Sequence, residues 1–287
     1  MSNSTSMYKS YKQSLNIYRS VVYCIMIILT LLAIVPIWIM IVNATRSTEE
    51  INMGISLLPS NNIAVNWAAL AGRGFSVGRG FFNSAFIAIC VTVLSVYFSA
   101  MTAYGIQVYH FKGRTAIWIA ILIIIMLPPA LSLIGFYQFM VQLRLTNNYI
   151  PLIIPSIAAA GAVLFLRQYM QAVISISLIE AARIDGANEL YTFNKIMLPV
   201  LSPALAAQAI FSFVGSWNNF FVPLVLLSSQ ELFTLPLLVM QLQGDIYRTE
   251  VGGIYLGIAV SIVPIVIFYI FMSRFIISGL TLGGVKE

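Results

Sequence analysis

Long apolar stretches separated by short polar segments dominate the chain. Six windows contain no Asp, Glu, Lys or Arg, and each can hold the roughly 20 apolar residues that a helix needs to cross a bilayer. These windows cover residues 20–45, 80–111, 115–143, 145–166, 196–230 and 251–273. The pattern predicts an all-α integral membrane protein with six transmembrane helices.

The segments around these windows complete a predicted division of the chain. Residues 1–20 are polar and lack acidic side chains, so we expect a cytoplasmic tail before a retained anchor helix over 21–42. An extracytoplasmic loop with a surface helix follows over 43–79, a transmembrane core covers 80–273, and a cytoplasmic tail covers 274–287. Residues 168–195 are the inner loop and residues 228–250 the outer loop, each named for its predicted side.

Proline and glycine mark two features inside the windows. Pro128-Pro129 should kink or break the third helix, either to line a cavity or to suit packing. Gly253 and Gly257 form a small-residue seam in the sixth helix, where another helix can approach closely. The sequence leaves open whether that seam packs within this chain or binds a second subunit.

Basic residues set the predicted orientation. With 60% hydrophobic and only 8% charged residues, the net charge of +6 acts mainly as a topology signal, because Lys and Arg stay on the cytoplasmic side. Ten basic residues then lie inside and five outside: Lys9, Lys12, Arg19, Lys112, Arg114, Arg167, Arg183, Lys195, Arg274 and Lys286 against Arg46, Arg73, Arg79, Arg144 and Arg248. We therefore expect a protein of the inner or cytoplasmic membrane with both termini inside, and no nucleic-acid partner.

Several kinds of chemistry are missing from the sequence. No Asp, Glu, Lys or Arg lies in the core of a window, which argues against proton or sodium coupling within this chain. A phosphate-binding G-x-x-x-x-G-K-[ST] loop is absent, as is a catalytic residue set, so we expect no enzyme activity and no cofactor. His110 stands alone and Cys24 and Cys90 lie inside windows, so no metal site is predicted.

The inner loop contains the most informative motif. Ser177 and Glu180 match the S-x-x-E capping box, which predicts a helix that starts at Ser177. Asp185-Gly186 predicts a bend, followed by a second helical piece from Ala187 towards Lys195.

Small side chains shape the predicted surface of this loop. Ala181, Ala182, Gly186 and Ala187 leave few protruding atoms, so the loop suits a groove on another protein. Glu180, Arg183 and Asp185 can make charged contacts at the rim. The alternative is an ordinary amphipathic helix at the membrane surface.

The loop motif resembles a known family. Glu180-Ala181-Ala182, Asp185-Gly186-Ala187, Phe193 and Leu198-Pro199 are similar to the E-A-A loop of transmembrane subunits of bacterial ATP-binding-cassette importers, in the maltose-type carbohydrate branch. The other matching segments are 82–84, 164–168, 217–220 with 223–224, and 279–286. The family usually ends G-A-V-K-G, whereas this chain has Gly284 and Glu287 at the variable places.

The resemblance implies a type I importer permease with the E-A-A helix as a cytoplasmic coupling helix. It also implies the partners: a second related permease subunit in a heterodimer, a pair of ATPases that bind ATP and Mg, and an extracytoplasmic solute-binding protein. The implied solute is a sugar or oligosaccharide, while a polyol phosphate or another non-sugar solute is the alternative. A stand-alone carrier and a membrane enzyme are the rival classes, and neither inverted repeats nor a catalytic set is visible.

A polar stripe runs along the fifth window. Gln208, Ser212, Gly215 and Asn219 recur on one helical face, with Ser216 adjoining and Trp217 nearby. Amide and hydroxyl groups suit a neutral sugar, so the stripe is a candidate substrate path. Hydrogen bonding between helices is the alternative.

The outer loop supplies candidate contacts with the solute-binding protein. By resemblance, this loop reaches into the open cleft of that partner. The polar residues available for the contact are Gln230, Gln241, Gln243 and Asp245.

Overall fold

The computed structural model describes the backbone of residues 2–72, 76–243 and 250–283, and their side chains apart from residues 2–15, 129–131 and 277–283. Within these ranges the chain is all helical, without strands. The α-helices are α1 Ser2–Asn43, α2 Thr48–Asn52, α3 Ile63–Ala71, α4 Val77–Val108, α5 Arg114–Met126, α6 Pro129–Gln142, α7 Ile150–Ile153, α8 Ala160–Val173, α9 Ile176–Ile184, α10 Glu189–Tyr191, α11 Leu198–Val200, α12 Ser202–Trp217, α13 Phe221–Leu226, α14 Leu235–Gln243 and α15 Val251–Gly283. Two 3₁₀ segments, Ile154–Ala158 and Gln230–Leu232, and a π-helical segment, Thr192–Met197, complete the order.

Four helical stretches in the described ranges are long and apolar enough to cross a membrane. They are Asn16–Asn43, Val77–Val108, Ile150–Val173 and Val251–Ile276, and Glu189–Val200 with Ser202–Trp217 makes a fifth if this pair, bent by 82°, is one span. The third predicted window is divided into α5 and α6, because the chain is extended at Leu127 and Pro128. The predicted break at Pro128-Pro129 is confirmed.

Helix ends differ from window ends at both termini. Helix α1 begins at Ser2, well before the anchor predicted over 21–42, and α15 continues to Gly283, beyond the window that ends at 273. No proline interrupts either flanking sequence, so the helices continue past the points where charge begins. A charge-free window therefore predicts the apolar part of a helix, but it does not predict the residues at which the helix begins and ends.

Helix α4 lies at the centre of the bundle and packs against α8 and α12. Its buried face is a row of small side chains, namely Ala88, Thr92, Ser95, Ser99 and Ala103. Small residues at helical spacing let neighbouring backbones approach closely, which is how membrane helices gain packing contacts without a hydrophobic driving force. This row therefore lets α4 pack closely against both α8 and α12.

The small-residue seam of α15 packs within the chain. A Cβ added at Gly253 would lie 3.3 Å from the Ala69 side chain, and one at Gly257 would lie 2.7 Å from Val239. Ala69 belongs to α3, and Val239 belongs to α14. Within the described residues, the seam holds the two outer segments against α15, which settles the question that the sequence left open.

Residues 43–72 form a hydrogen-bonded cap at the end of the bundle where α3 and α14 pack against α15. The guanidinium of Arg46 is buried and donates to Gly54 O at 2.9 Å and to Asn43 Oδ1 at 3.2 Å. The amide of Asn66 donates to the carbonyls of Ala44 and Arg46, each at 2.9 Å. Within this segment the chain forms α2 and α3, and its assignment to an extracytoplasmic loop stays a prediction.

Candidate functional site

The inner loop follows the predicted course from helix to bend to helix. Helix α8 ends at Val173, and Ser175 is in an extended conformation before α9 begins. Gly186 has a φ of +78°, in the left-handed region that favours glycine, and α10 and the π-helical segment follow. The bend at Asp185-Gly186 and the second helical piece are confirmed.

The predicted capping box is wrong. Helix α9 begins at Ile176 with Ser175 as its N-cap, and no side chain makes a capping hydrogen bond there. The hydroxyl of Ser177, inside the first turn, instead donates to the Ser175 hydroxyl at 3.2 Å. Tertiary packing sets this start, because α9 buries Ile179 and Ala182 against the core while Glu180 stays exposed.

The described structure exposes most of the predicted contact residues of the inner loop. Exposed are Glu180, Ala181, Arg183, Asp185 and Gly186, and Ala187 is half-buried. Ala182 is only 6% exposed, so it packs inward and offers little surface to a partner. Ile184 was missed by sequence reasoning although it is 86% exposed, because a single isoleucine in a helical pattern is normally assigned to the core.

The small residues border an open depression of about 490 Å³ at the bend. Its lining is Ala182, Asp185, Gly186, Ala187, Asn188, Tyr191 and Ile196. The depression lies beside the exposed Ile184. A partner protein would therefore meet the polar backbone of the bend and an apolar side chain on the same surface. This combination suits a protruding segment of another protein.

Arg183 makes its contacts within the chain. Its Nε atom lies 2.9 Å from Glu189 Oε1, and its guanidinium lies 5.7 Å from the centre of the Tyr109 ring. The Tyr109 hydroxyl donates to the other oxygen of Glu189. These hydrogen bonds, that from Tyr109 above all, hold the pKa of Glu189 below its usual range, while burial and the bond to Glu189 raise the pKa of Tyr109. The cluster ties α9, α10 and the end of α4 together.

We expect Glu189→Gln to loosen the inner loop and to remove a pH dependence. Because the folded state lowers the pKa of Glu189, its carboxylate stabilises the loop at a pH above the pKa of the unfolded chain. This stabilisation is lost as the pH falls through the lower pKa of the folded state. Both partners are partly exposed, so the effect is small, about two- to fivefold in amide exchange over 176–191.

The matched control for Glu189 is Glu180→Gln, which alters an exposed carboxylate of the same loop that forms no ion pair with a described residue. Hydrogen exchange at pH 7 and at pH 3 should separate the two variants. Equal exchange in wild type and Glu189→Gln at pH 7 would show that the cluster does not hold the loop.

Aromatic packing fastens the underside of the inner loop to α4. Phe193, only 2% exposed, has its ring centre 5.4 Å from that of Tyr104 and 5.8 Å from that of Tyr97. The Tyr97 hydroxyl also donates to Asn194 Oδ1 at 3.2 Å. These contacts join the inner loop to α4, and the only sign of them in the sequence is the aromatic residues themselves.

The first half of the polar stripe connects helices. Gln208 is buried, and its amide donates to the Ser212 hydroxyl at 3.1 Å. That hydroxyl lies 3.4 Å from the Ser95 hydroxyl of α4. Part of the stripe thus has the interhelical role that sequence analysis kept as the alternative.

The second half of the stripe lies at the end of α12. Ser216 is half-buried and Trp217 is only 1% exposed, with its ring packed against Phe81 and Phe213. Asn219 follows the helix, and its Oδ1 atom accepts a hydrogen bond from the Val222 amide at 3.2 Å, at the start of α13. The assignment of these residues to a substrate path stays a prediction.

A pair of substitutions at Asn219 separates a structural role of this residue from a role in the substrate path. Asn219→Asp keeps the oxygen that accepts from Val222, whereas Asn219→Leu removes it and should destabilise by about 0.5–2 kcal/mol, as loss of a helix cap does. If the amide also lines the path, both variants should lower uptake per assembled complex. Normal uptake in Asn219→Asp, with lower thermal stability in Asn219→Leu alone, would leave only the structural role.

The outer loop is fastened to the bundle by two asparagines. Asn83 donates to the carbonyls of Glu231 and Phe233 at 2.9 and 3.0 Å. Asn147 Oδ1 accepts from the amides of Ser228 and Ser229 at 3.1 and 2.9 Å. These anchors were not predicted as such, although the segment 82–84 carried part of the resemblance.

The predicted contacts of the outer loop have different exposures. Gln230 and Gln243 are exposed and Gln241 is half-buried, while Asp245 lies outside the described residues. The exposed pair remains available to a partner. The binding-protein contact itself stays a prediction.

Known proteins share both the sequence and the fold. Residues 97–281 match the family model for the binding-protein-dependent transport system inner membrane component. The arabinooligosaccharides transport system permease protein AraQ of Halalkalibacterium halodurans is 41% identical over 258 residues, which cover 89% of this chain and 92% of that protein. The protein of the same name from Bacillus subtilis is 34% identical over 94% of this chain and 97% of its own length.

A solved structure has the same arrangement of helices. It belongs to a bacterial ABC transporter involved in the import of the acidic polysaccharide alginate, with a TM-score of 0.74, 25% identity, and coverage of 90% of this chain and 96% of that chain. The family model covers both the inner loop and α12, and the relatives match nearly the whole chain. The chain belongs to the family of binding-protein-dependent transport system inner membrane components.

Proposed function

We propose that the chain is the permease subunit of an ATP-driven importer for a sugar or oligosaccharide, in which separate ATPase subunits act on the inner loop. The observation that carries this proposal is the geometry of that loop. A short helix, a left-handed glycine and an open depression form an exposed docking surface, while Phe193 and Tyr97 fasten its other side to α4. Such a loop can transmit movement from a partner into the bundle.

The proposed assembly places this chain in the cytoplasmic membrane with six spans and both termini inside. The broken helices α5 and α6 supply the third span, and α12 with its neighbours supplies the fifth. A second related permease completes a heterodimer, the ATPases bind ATP and Mg, and a solute-binding protein delivers the solute on the side of the outer loop. Family membership and the excess of basic residues beside the inner loop support this arrangement.

The proposed solute class follows from the relatives and from the chemistry of the spans. Two relatives, at 41% and 34% identity, are named for the transport of arabinooligosaccharides. No Asp, Glu, Lys or Arg lies in the apolar core of the predicted spans, whereas amide and hydroxyl groups do. A neutral oligosaccharide is therefore the first solute to test.

Uptake in cells tests this function. A strain that lacks the gene should fail to take up one labelled oligosaccharide from a panel of arabino-, malto- and galacto-oligosaccharides, and expression of the chain should restore uptake of that sugar. Restored uptake should disappear when the ATPase partner is inactivated. Uptake that survives ATPase inactivation would overturn the proposal in favour of a stand-alone carrier.

Ile184 should contribute to ATPase docking without contributing to the fold. Because it is 86% exposed in the described structure, Ile184→Glu buries no charge inside this chain but places one at the proposed interface. We expect at least tenfold weaker co-purification of the ATPase, the size expected for a lost apolar anchor. Ile184→Leu is the matched control and should bind normally, and full docking in Ile184→Glu would move the interface elsewhere.

A further inference from the structure

Three basic residues lie just before or at the start of α5 or near the end of α8, two helices that pack against each other. Lys112 and Arg114 flank Gly113 at the start of α5, and Arg167 lies in the last two turns of α8. Arg114 and Trp118 are four residues apart, so they share one face of α5. The guanidinium of Arg167 lies 3.9 Å from the centre of the Trp118 ring, which brings the two helices and their charges together.

These cations lack a counterion. In the described part of the chain, no carboxylate lies within 4.0 Å of Lys112, Arg114 or Arg167. Arg114 lies one turn before Trp118, the ring on which Arg167 stacks, and the Nε atom of Arg167 is buried without a hydrogen-bond partner among the described residues. A buried donor with no partner, beside a second cation, calls for an anion.

The adjoining surface identifies the kind of anion. Helix α5 has no buried residue in the structure, and Ile117, Ile123 and Ile124 are each about half exposed, with values of 45%, 54% and 56%. Helix α5 begins at a cationic cluster, carries a tryptophan near its start and exposes an apolar surface along its length. These three features match, in turn, the phosphate, the interface zone and the acyl chains of a lipid. We propose that Lys112, Arg114, Trp118 and Arg167 bind the phosphate headgroup of an anionic phospholipid, whose acyl chains lie along α5.

This lipid site is independent of the transported solute and of the ATPase. It requires only that the chain lies in a membrane. Only Ile174 and Ser175 separate the end of α8 from α9, so a lipid held between α5 and α8 also braces the connection to α9. Failure of the uptake experiment would therefore leave the site untouched, and failure of the lipid experiment would leave the proposed function untouched.

Native mass spectrometry of the full chain in detergent tests the site. The chain is titrated with phosphatidylglycerol and, separately, with phosphatidylcholine of the same acyl composition. Wild type should bind one phosphatidylglycerol at least fivefold more tightly than phosphatidylcholine. Glycerol phosphate without acyl chains should compete weakly, because it lacks the contacts along α5. Equal binding of the two lipids, or equal binding of free glycerol phosphate, would overturn the proposal.

Single-charge variants locate the bound lipid. Arg167→Gln and Arg114→Gln should each lower the preference for phosphatidylglycerol by about fivefold, as loss of one basic residue near an anionic headgroup does. Arg114 is half-buried at a helix start, so its variant remains informative if Arg167→Gln folds poorly. Arg274→Gln is the matched control, because Arg274 also stacks on aromatic rings, at 4.4 and 4.8 Å, but lies on α15. An equal loss in Arg274→Gln would show a general effect of net charge and no defined site.

A photocrosslinker distinguishes a lipid from a protein partner. Benzoylphenylalanine at position 112 of the full transporter in native membranes should capture phospholipid. A crosslink to the ATPase subunit as the main product would overturn the lipid assignment and would make these cations part of the ATPase interface.

Discussion

Gly186→Val should reduce solute uptake by about tenfold or more while the chain still inserts in the membrane. Gly186 has a φ of +78°, where an ordinary side chain costs about 1–2 kcal/mol and a β-branched one more. A Cβ at this position meets no atom within 4 Å, so the cost comes from the backbone conformation and not from a clash. The bend should shift, and the α9 surface should lose its position relative to α4. A tenfold change corresponds to about 1.4 kcal/mol.

Gly186→Asn is the matched control, because asparagine tolerates the left-handed conformation. Membrane abundance, ATPase co-purification and uptake are measured separately for both variants. Valine should lower uptake per assembled complex, and asparagine should largely preserve it. If valine leaves uptake per complex unchanged, the bend has no part in coupling.

Gly252→Ala should strongly destabilise the folded chain. A Cβ on Gly252 would lie 2.6 Å from the carbonyl oxygen of Arg46 and closer still to the side-chain amide of Asn66. Those groups are hydrogen-bonded to each other, so they cannot move apart without breaking the cap over residues 43–72. Overpacking of this kind costs about 1–3 kcal/mol, and we expect the thermal midpoint in detergent to fall by roughly 2–12 °C.

Gly105→Ala is the control for that substitution. Gly105 lies inside α4, and a Cβ there meets no atom within 4 Å, so alanine should be neutral or stabilise by about 0.5–1 kcal/mol. Thermal unfolding followed by size-exclusion chromatography compares the two purified variants. An unchanged midpoint in Gly252→Ala would show that the outer segment packs less tightly on α15 than the structure indicates.

Local backbone chemistry was readable from the sequence. Asp185-Gly186 predicted a bend because glycine reaches the left-handed conformation at little cost, and Pro128-Pro129 predicted a break because proline lacks the amide hydrogen that a helix interior needs. Both follow from the residues themselves. The all-helical class also follows from the residues. In a bilayer, the charge-free apolar windows of this chain can hydrogen-bond their backbone amides and carbonyls only by forming helices.

Choices between equivalent local signals required the tertiary structure. Ser175 and Ser177 can both begin a helix, and the burial of Ile179 and Ala182 selected Ser175. Gln208 and Ser212 were polar residues on one face, and only the position of Ser95 on α4 showed that part of this face joins two helices.

The sequence by itself determined the helical class, the apolar windows, the bend of the inner loop and the family resemblance, because each depends on residues that are neighbours along the chain. The tertiary structure decided which small residues pack inward, that Arg183 pairs with Glu189, and that Arg167 meets Trp118 without a carboxylate. Those facts depend on which side chains the folded chain brings together, and hydrophobic periodicity contains no information about such contacts.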